Sequence, residues 1–151
     1  MLTRNEKTLK EDYIIRIKSR IDQDDDRQEV ELMTRGSFVA RGGSYYITYN
    51  ETETTGYAGC VTTIKLAADS SRVALLRRGP AHTQLVIEKG RRNLCHYETG
   101  YGSVTLGVTA DEIVCNLSEK GGTAKFSYLL DADNAAMISR NSLEVTVNHV
   151  N

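Results

Sequence analysis

Two glutamates that follow tyrosine-rich segments are the residues of this sequence best suited to acid–base chemistry. SYYITYNE ends at Glu51, and HYETGYG places Glu98 between Tyr97 and Tyr101. Two carboxyl groups can divide acid and base roles when their environments separate their pKa values. Glutamates at strand ends are usually solvated, however, so we rank catalysis by this pair below binding.

Arg77 is the candidate for binding an anion. It alternates with Val73 and Leu75, so the guanidinium faces inward if those two side chains do. A buried arginine needs a carboxylate or several carbonyl partners, and we therefore predict a pair with Glu51 or with Glu98. The planar fork of arginine recognises carboxylates and phosphates. In the alternative interpretation, Arg77 satisfies barrel-end carbonyls or an internal ion pair and binds nothing.

Tyrosines complete the predicted site, although HYETGYG is also typical of a hairpin corner. Its glycines permit the positive φ angles of tight hairpin loops, and a corner tyrosine often packs beneath the loop. The full set predicted to bind a ligand is Arg77, Glu51, Glu98, Tyr49, Tyr97 and Tyr101.

Metal and cofactor chemistry has little support in the sequence. DQDDDR has Asp22, Asp24 and Asp26 at the spacing of the first EF-hand ligands, but Arg27 stands where the loop needs glycine. We interpret it as a solvated acidic turn. Cys95 and His96 are neighbours on a predicted strand and would point to opposite faces. No phosphate loop or dinucleotide fingerprint appears, so we expect no metal and no cofactor.

Length and charge limit the classes of function. The chain has 151 residues with 19 basic and 20 acidic side chains, and we interpret 1–151 as one domain with its core at about 13–148. A formal charge of -1 argues against a nucleic-acid partner. The absence of an apolar run of signal or membrane-spanning length argues against a membrane partner and predicts a cytoplasmic protein with reduced thiols.

Alternation of apolar and polar residues recurs along nearly the whole chain, which predicts about ten short strands. YIIRIKSRI, for example, puts its isoleucines opposite its basic residues. The segments Gly102–Ala110 and Asp111–Ser118 have a weak break between them and could form one bent strand. Asn134–Ser139 could make at most a turn or two of helix. We predict an all-β, antiparallel, up-and-down barrel of roughly eight to ten strands, and the alternation alone does not exclude a sandwich.

Several short motifs carry a resemblance to a known family. Tyr49-x-Glu51, Thr62-Thr63, Arg77-x-Gly79 and YETGYG, in this order, resemble the bacterial YwiB-like family. The resemblance extends from about Tyr13 to Val147. It implies a small calycin-like (lipocalin-like) β-barrel in the bacterial cytoplasm and implies no reaction.

The leading functional expectation is a non-enzymatic barrel that binds a small anionic ligand at one end. The alternative is a solidly packed barrel that acts as a protein-interaction or self-association module, present as a monomer or homodimer. An enzyme ranks third. An internal cavity with converging polar groups would favour the ligand, whereas a filled interior with an exposed apolar patch would favour the protein partner.

Overall fold

Ten β-strands account for almost all of the chain in a computed structural model, which describes residues 10–99, 102–132 and 137–150. The side chains of Glu98 and Thr99 also lie outside the description. One 3-10 turn, Glu53–Thr55, lies between the third and fourth strands. The strands are β1 Tyr13–Gln23, β2 Asp26–Arg41, β3 Ser44–Asn50, β4 Val61–Ala67, β5 Arg72–Arg78, β6 Thr83–Glu88, β7 Arg92–Thr99, β8 Gly102–Ser118, β9 Gly121–Asp131 and β10 Met137–His149.

The strands close into one antiparallel barrel in which each strand pairs with its neighbours in sequence. The barrel closes where β1 pairs with β10, with Ile15 opposite Val147. Beside this ladder, the backbone N–H of Val150 donates a 2.7 Å hydrogen bond to the carbonyl oxygen of Asp12. The predicted all-β up-and-down barrel is confirmed, and its form is consistent with a calycin-like barrel.

Two local predictions have different outcomes. The weak break near Ala110 is a β-bulge between Ala110 and Glu112 within a single strand, so the bent-strand alternative is correct. The segment Asn134–Ser139, which could make at most a turn or two of helix, is extended at its carboxyl end, where Met137–Ser139 pair with β9 as the start of β10. The rest of that segment lies outside the described residues. No helix in the described ranges is long and apolar enough to span a membrane.

One end of the barrel is filled with side chains. The ring of Phe38 stacks on that of Tyr45 with 5.8 Å between centroids, and Tyr13 meets Phe38 edge-on at 5.3 Å. Leu66 and Ile87 are fully buried beside them in the same core. Aromatic and branched side chains pack against one another in this half, and their apolar burial stabilises the fold.

An ion pair crosses the outside of the barrel at the middle of β8. The guanidinium of Arg92 on β7 reaches over Gly107 to the carboxylate of Asp131 on β9, with 3.0 Å between Nε and Oδ2. A Cβ atom at position 107 would overlap the guanidinium atoms. The absence of a side chain on Gly107 therefore lets the pair form across an intervening strand.

Candidate functional site

Strand register brings five inward-facing polar and aromatic side chains into one layer of the barrel. Tyr49 on β3 pairs with Thr62 on β4, which pairs with Arg77 on β5. Arg77 in turn pairs with Thr83 on β6, and Thr83 with Tyr97 on β7. Because residues in register share a face of the sheet, one polar layer extends across five consecutive strands.

This layer borders a cavity of about 560 Å³ in the half of the barrel opposite the packed end. The cavity opens at the end where β1 turns into β2, since the exposed side chains of Gln23 and Gln28 line it there. Its floor is apolar and includes Ile17, Leu75 and Leu85. A concave site of this size, mostly apolar with a few converging polar groups, is typical of small-molecule pockets.

Glu51 is the buried acidic group of the cavity. It follows β3 directly, and its side chain is only 1% exposed. The hydroxyl of Thr62 donates a 2.6 Å hydrogen bond to Oε2, and that of Thr55 donates one of 2.9 Å to Oε1. Arg77 Nη2 lies 3.2 Å from Oε2. Three donors therefore offset the cost of removing this carboxylate from water.

The guanidinium of Arg77 is held on two sides and left incomplete on a third. Nη2 binds Glu51, and the ring of Tyr57 lies against the guanidinium with 3.8 Å from ring centroid to Cζ. The side chain is 13% exposed. Nε is buried and has no hydrogen-bond partner among the described residues. Leaving a buried donor without a partner is energetically costly.

Tyrosines form a neutral wall beside this ion pair. Burial raises the pKa of Tyr49 far above its usual range, and the charge of Glu51 raises it further. Burial also raises the pKa of Tyr97, and it raises that of Tyr128 to about 12. The hydroxyls of Tyr97 and Tyr128 lie close enough for each to influence the pKa of the other. All three phenols stay protonated near neutral pH and can act only as neutral hydrogen-bonding groups.

The cavity wall across from Arg77, formed by β10, has no charged side chain in its deeper part. Asn141 on β10 is buried and lines the cavity, and its Nδ2 donates a 2.9 Å hydrogen bond to Oγ of Ser139. β10 lies five strands from β5 around the ring of ten, so this amide faces the Arg77 side across the cavity. At the rim, Arg20 lines the cavity and forms a 3.3 Å ion pair with Asp22.

The structure brings together four of the six residues that the sequence singled out. Glu51, Arg77, Tyr49 and Tyr97 all line the cavity, and the ion pair of Arg77 is with Glu51. The side chain of Glu98 and all of Tyr101 lie outside the described residues. Metal chemistry gains no support, since no group of three or more potential ligands occurs within the described ranges. Asp22 in the acidic turn binds Arg20 and Arg27 instead.

Sequence reasoning missed several residues that complete the site. Thr62 and Tyr128 each occupy an inward position on an otherwise apolar strand face, and Asn141 lies beside Ser139 on the inward face of β10. These exceptions to the apolar pattern were a usable signal. Thr55 and Tyr57 belong to the connection between β3 and β4. A loop has no periodicity, so nothing in the sequence indicated where these two side chains would lie.

Together the fold and the site define a class of protein: a closed ten-stranded antiparallel barrel with a polar-lined cavity at one end. The chain belongs to the family described as "Domain of unknown function (DUF1934)", whose model matches residues 15–145. The crystal structure of the ywiB protein from Bacillus subtilis has a similar fold, with a TM-score of 0.74 and 18% sequence identity over 97% of this chain and 99% of that one. The resemblance to the YwiB-like family is thereby confirmed. No curated protein sequence matches this chain.

Proposed function

We propose that this barrel binds a small organic anion in its open cavity, with Arg77 as the group that contacts the acidic end of the ligand. The observation that carries the proposal is the side chain of Arg77, which lines the cavity, while its Nε has no hydrogen-bond partner among the described residues. The part of this guanidinium that faces the cavity would donate hydrogen bonds to a carboxylate, sulfonate or phosphate oxygen.

Pre-organisation of the guanidinium supports the same function. Glu51 and Tyr57 hold the group from one edge and one face before any ligand arrives. A ligand would therefore lose little affinity to the ordering of this side chain. Leu75 and Leu85 beneath it offer apolar surface for the body of the ligand. No step of this function requires bond making or breaking.

The hollow interior favours the ligand-binding proposal over a protein-interaction module. A protein-interaction module needs no internal space, and its barrel could be filled along its whole length. Here the filled half ends below the Arg77 layer and a cavity of about 560 Å³ begins. Exposed apolar side chains such as Met33, Leu94 and Met137 do occur. Scattered exposed residues are normal for a protein surface and favour no partner by themselves.

A fluorescence titration with 8-anilinonaphthalene-1-sulfonate, a singly charged aromatic probe, tests the proposal. We expect the wild type to bind one probe molecule and Arg77→Gln to bind it at least about tenfold more weakly, which corresponds to about 1.4 kcal/mol. Arg78→Gln is the matched control, because Arg78 adjoins Arg77 on β5 but is exposed. Equal affinity in the two variants would refute the role of Arg77.

A second variant guards against simple misfolding. Arg77→Gln leaves Glu51 buried without its ion-pair partner, and breaking a buried pair costs about 3–5 kcal/mol. Arg77→Gln with Glu51→Gln removes both charges together and should restore much of that stability. We expect the double variant to remain folded and still bind the probe weakly. Tight probe binding by this folded double variant would overturn the proposal.

A further inference from the structure

We propose that the cavity selects ligands with a single negative charge, such as carboxylates, over phosphate monoesters. This inference rests on the proposed function and adds the chemical class of the ligand. Its basis is the charge balance around Arg77, where a carboxylate of the protein already lies against the guanidinium that the ligand would meet.

Glu51 sets the charge limit at the contact point. Its Oε2 is 3.2 Å from Arg77 Nη2, so the two side chains together carry no net charge. A ligand anion that reaches the guanidinium also comes close to the Glu51 carboxylate and is repelled by it. That repulsion grows with the charge on the ligand and is strong where water is excluded. A phosphate monoester carries about -1.5 to -2 charges at neutral pH, whereas a carboxylate carries one.

Among the described residues, the deeper part of the cavity wall has no cation other than Arg77. Arg20 is the other basic side chain that lines the cavity; it lies at the rim, 3.3 Å from Asp22, which also binds Arg27 at 2.7 Å. The deeper polar groups, among them Tyr128 and Asn141, are neutral donors and acceptors. Phosphate sites generally combine several cationic side chains or clustered backbone N–H groups. Here one guanidinium edge, beside a carboxylate, faces the ligand.

Competition against 8-anilinonaphthalene-1-sulfonate at pH 7.5 measures the selectivity with ligands that share one body. The pairs are hexanoate with hexyl phosphate and phenylacetate with phenyl phosphate. We expect the wild type to bind each carboxylate at least about tenfold more tightly than its phosphate partner. Glu51→Gln removes the opposing charge and nearly keeps the shape, and it should reduce this preference to about twofold or less.

Glu53→Gln is the matched control, because Glu53 lies two residues away in the 3-10 turn and is exposed. Its preference should equal that of the wild type. Equal or tighter binding of the phosphates by the wild type would overturn the inference, as would an unchanged preference in Glu51→Gln. If Arg77→Gln then weakened the binding of all four ligands, the proposed function would hold and only the inference about charge selectivity would fail. If neither the probe nor any of the four ligands bound the wild type, the proposed function would fail as well.

Discussion

The hydroxyl of Thr62 lies 2.6 Å from Oε2 of Glu51, the same oxygen that faces Arg77. Both residues are buried: Thr62 is completely buried, and Glu51 as a whole residue, backbone included, is 6% exposed. Thr62, the donor, is on β4, which lies between β3, the strand that Glu51 follows, and β5, the strand that carries Arg77. The threonine therefore stabilises the ion pair from the barrel wall without occupying the cavity on the ligand side.

Replacement of Thr62 by valine should show how far the ion pair depends on this hydrogen bond. Thr62→Val keeps the shape and removes one donor from a buried carboxylate, and such a loss costs about 1–3 kcal/mol. We expect a lower free energy of unfolding by that amount, measured by urea denaturation. Thr63→Val, on the same strand, removes a half-buried hydroxyl that bonds Thr48 and should cost less. Equal losses in the two variants would contradict the importance of the Glu51 contact.

Gly107 provides a second test, in which the side chain of Arg92 decides whether alanine at position 107 stabilises or destabilises the protein. Alanine is ordinarily better than glycine within a strand by about 0.5–1 kcal/mol. At this position the new methyl group would displace the guanidinium of Arg92 from Asp131. We expect Gly107→Ala to be neutral or destabilising in the wild type and stabilising in an Arg92→Ala background. The free energies of unfolding of the wild type, the two single variants and the double variant form a double-mutant cycle. Additive effects in this cycle would show that the methyl group at position 107 does not clash with Arg92.

Alkaline pH should destabilise the protein through Cys95. Burial raises the pKa of its thiol to about 11, whereas the thiol of an unfolded chain titrates near about 8.5. Because the folded pKa is the higher one, the contribution is complete below about pH 8.5 and is lost as the pH rises toward 11. We expect Cys95→Ala to show a shallower decline in unfolding free energy between pH 7.5 and 9.5. The difference should approach about 1.4 kcal/mol at pH 9.5. Parallel declines in the unfolding free energies of the wild type and Cys95→Ala would contradict a role of the Cys95 thiol.

Alternation in the sequence predicted the strands and an inward-facing Arg77 paired with either Glu51 or Glu98, because a period of two assigns each side chain to a face. The choice of Glu51 required the structure. Strand register then brings residues as distant as Tyr49 and Tyr97 into one layer. The position of Tyr57 against Arg77 depends on a loop conformation and could not be read in the same way. The bulge at Ala110 was visible only as a weak break, because a strand that bends retains its apolar pattern on both sides.

The hydrogen bond between Val150 and Asp12 places two distant parts of the chain side by side at the seam between β1 and β10. All other ladders of the barrel join strands that follow one another, so this seam is where the loop-closure entropy concentrates. A circular permutant that links these two ends and is cut in the exposed Gly42–Gly43 turn would convert the seam into a local connection. The cost in loop-closure entropy would then fall on the pairing of β2 with β3. The strand pairs that form the layer around Arg77 would not change. The order in which this barrel assembles is thus separable from the architecture of its cavity.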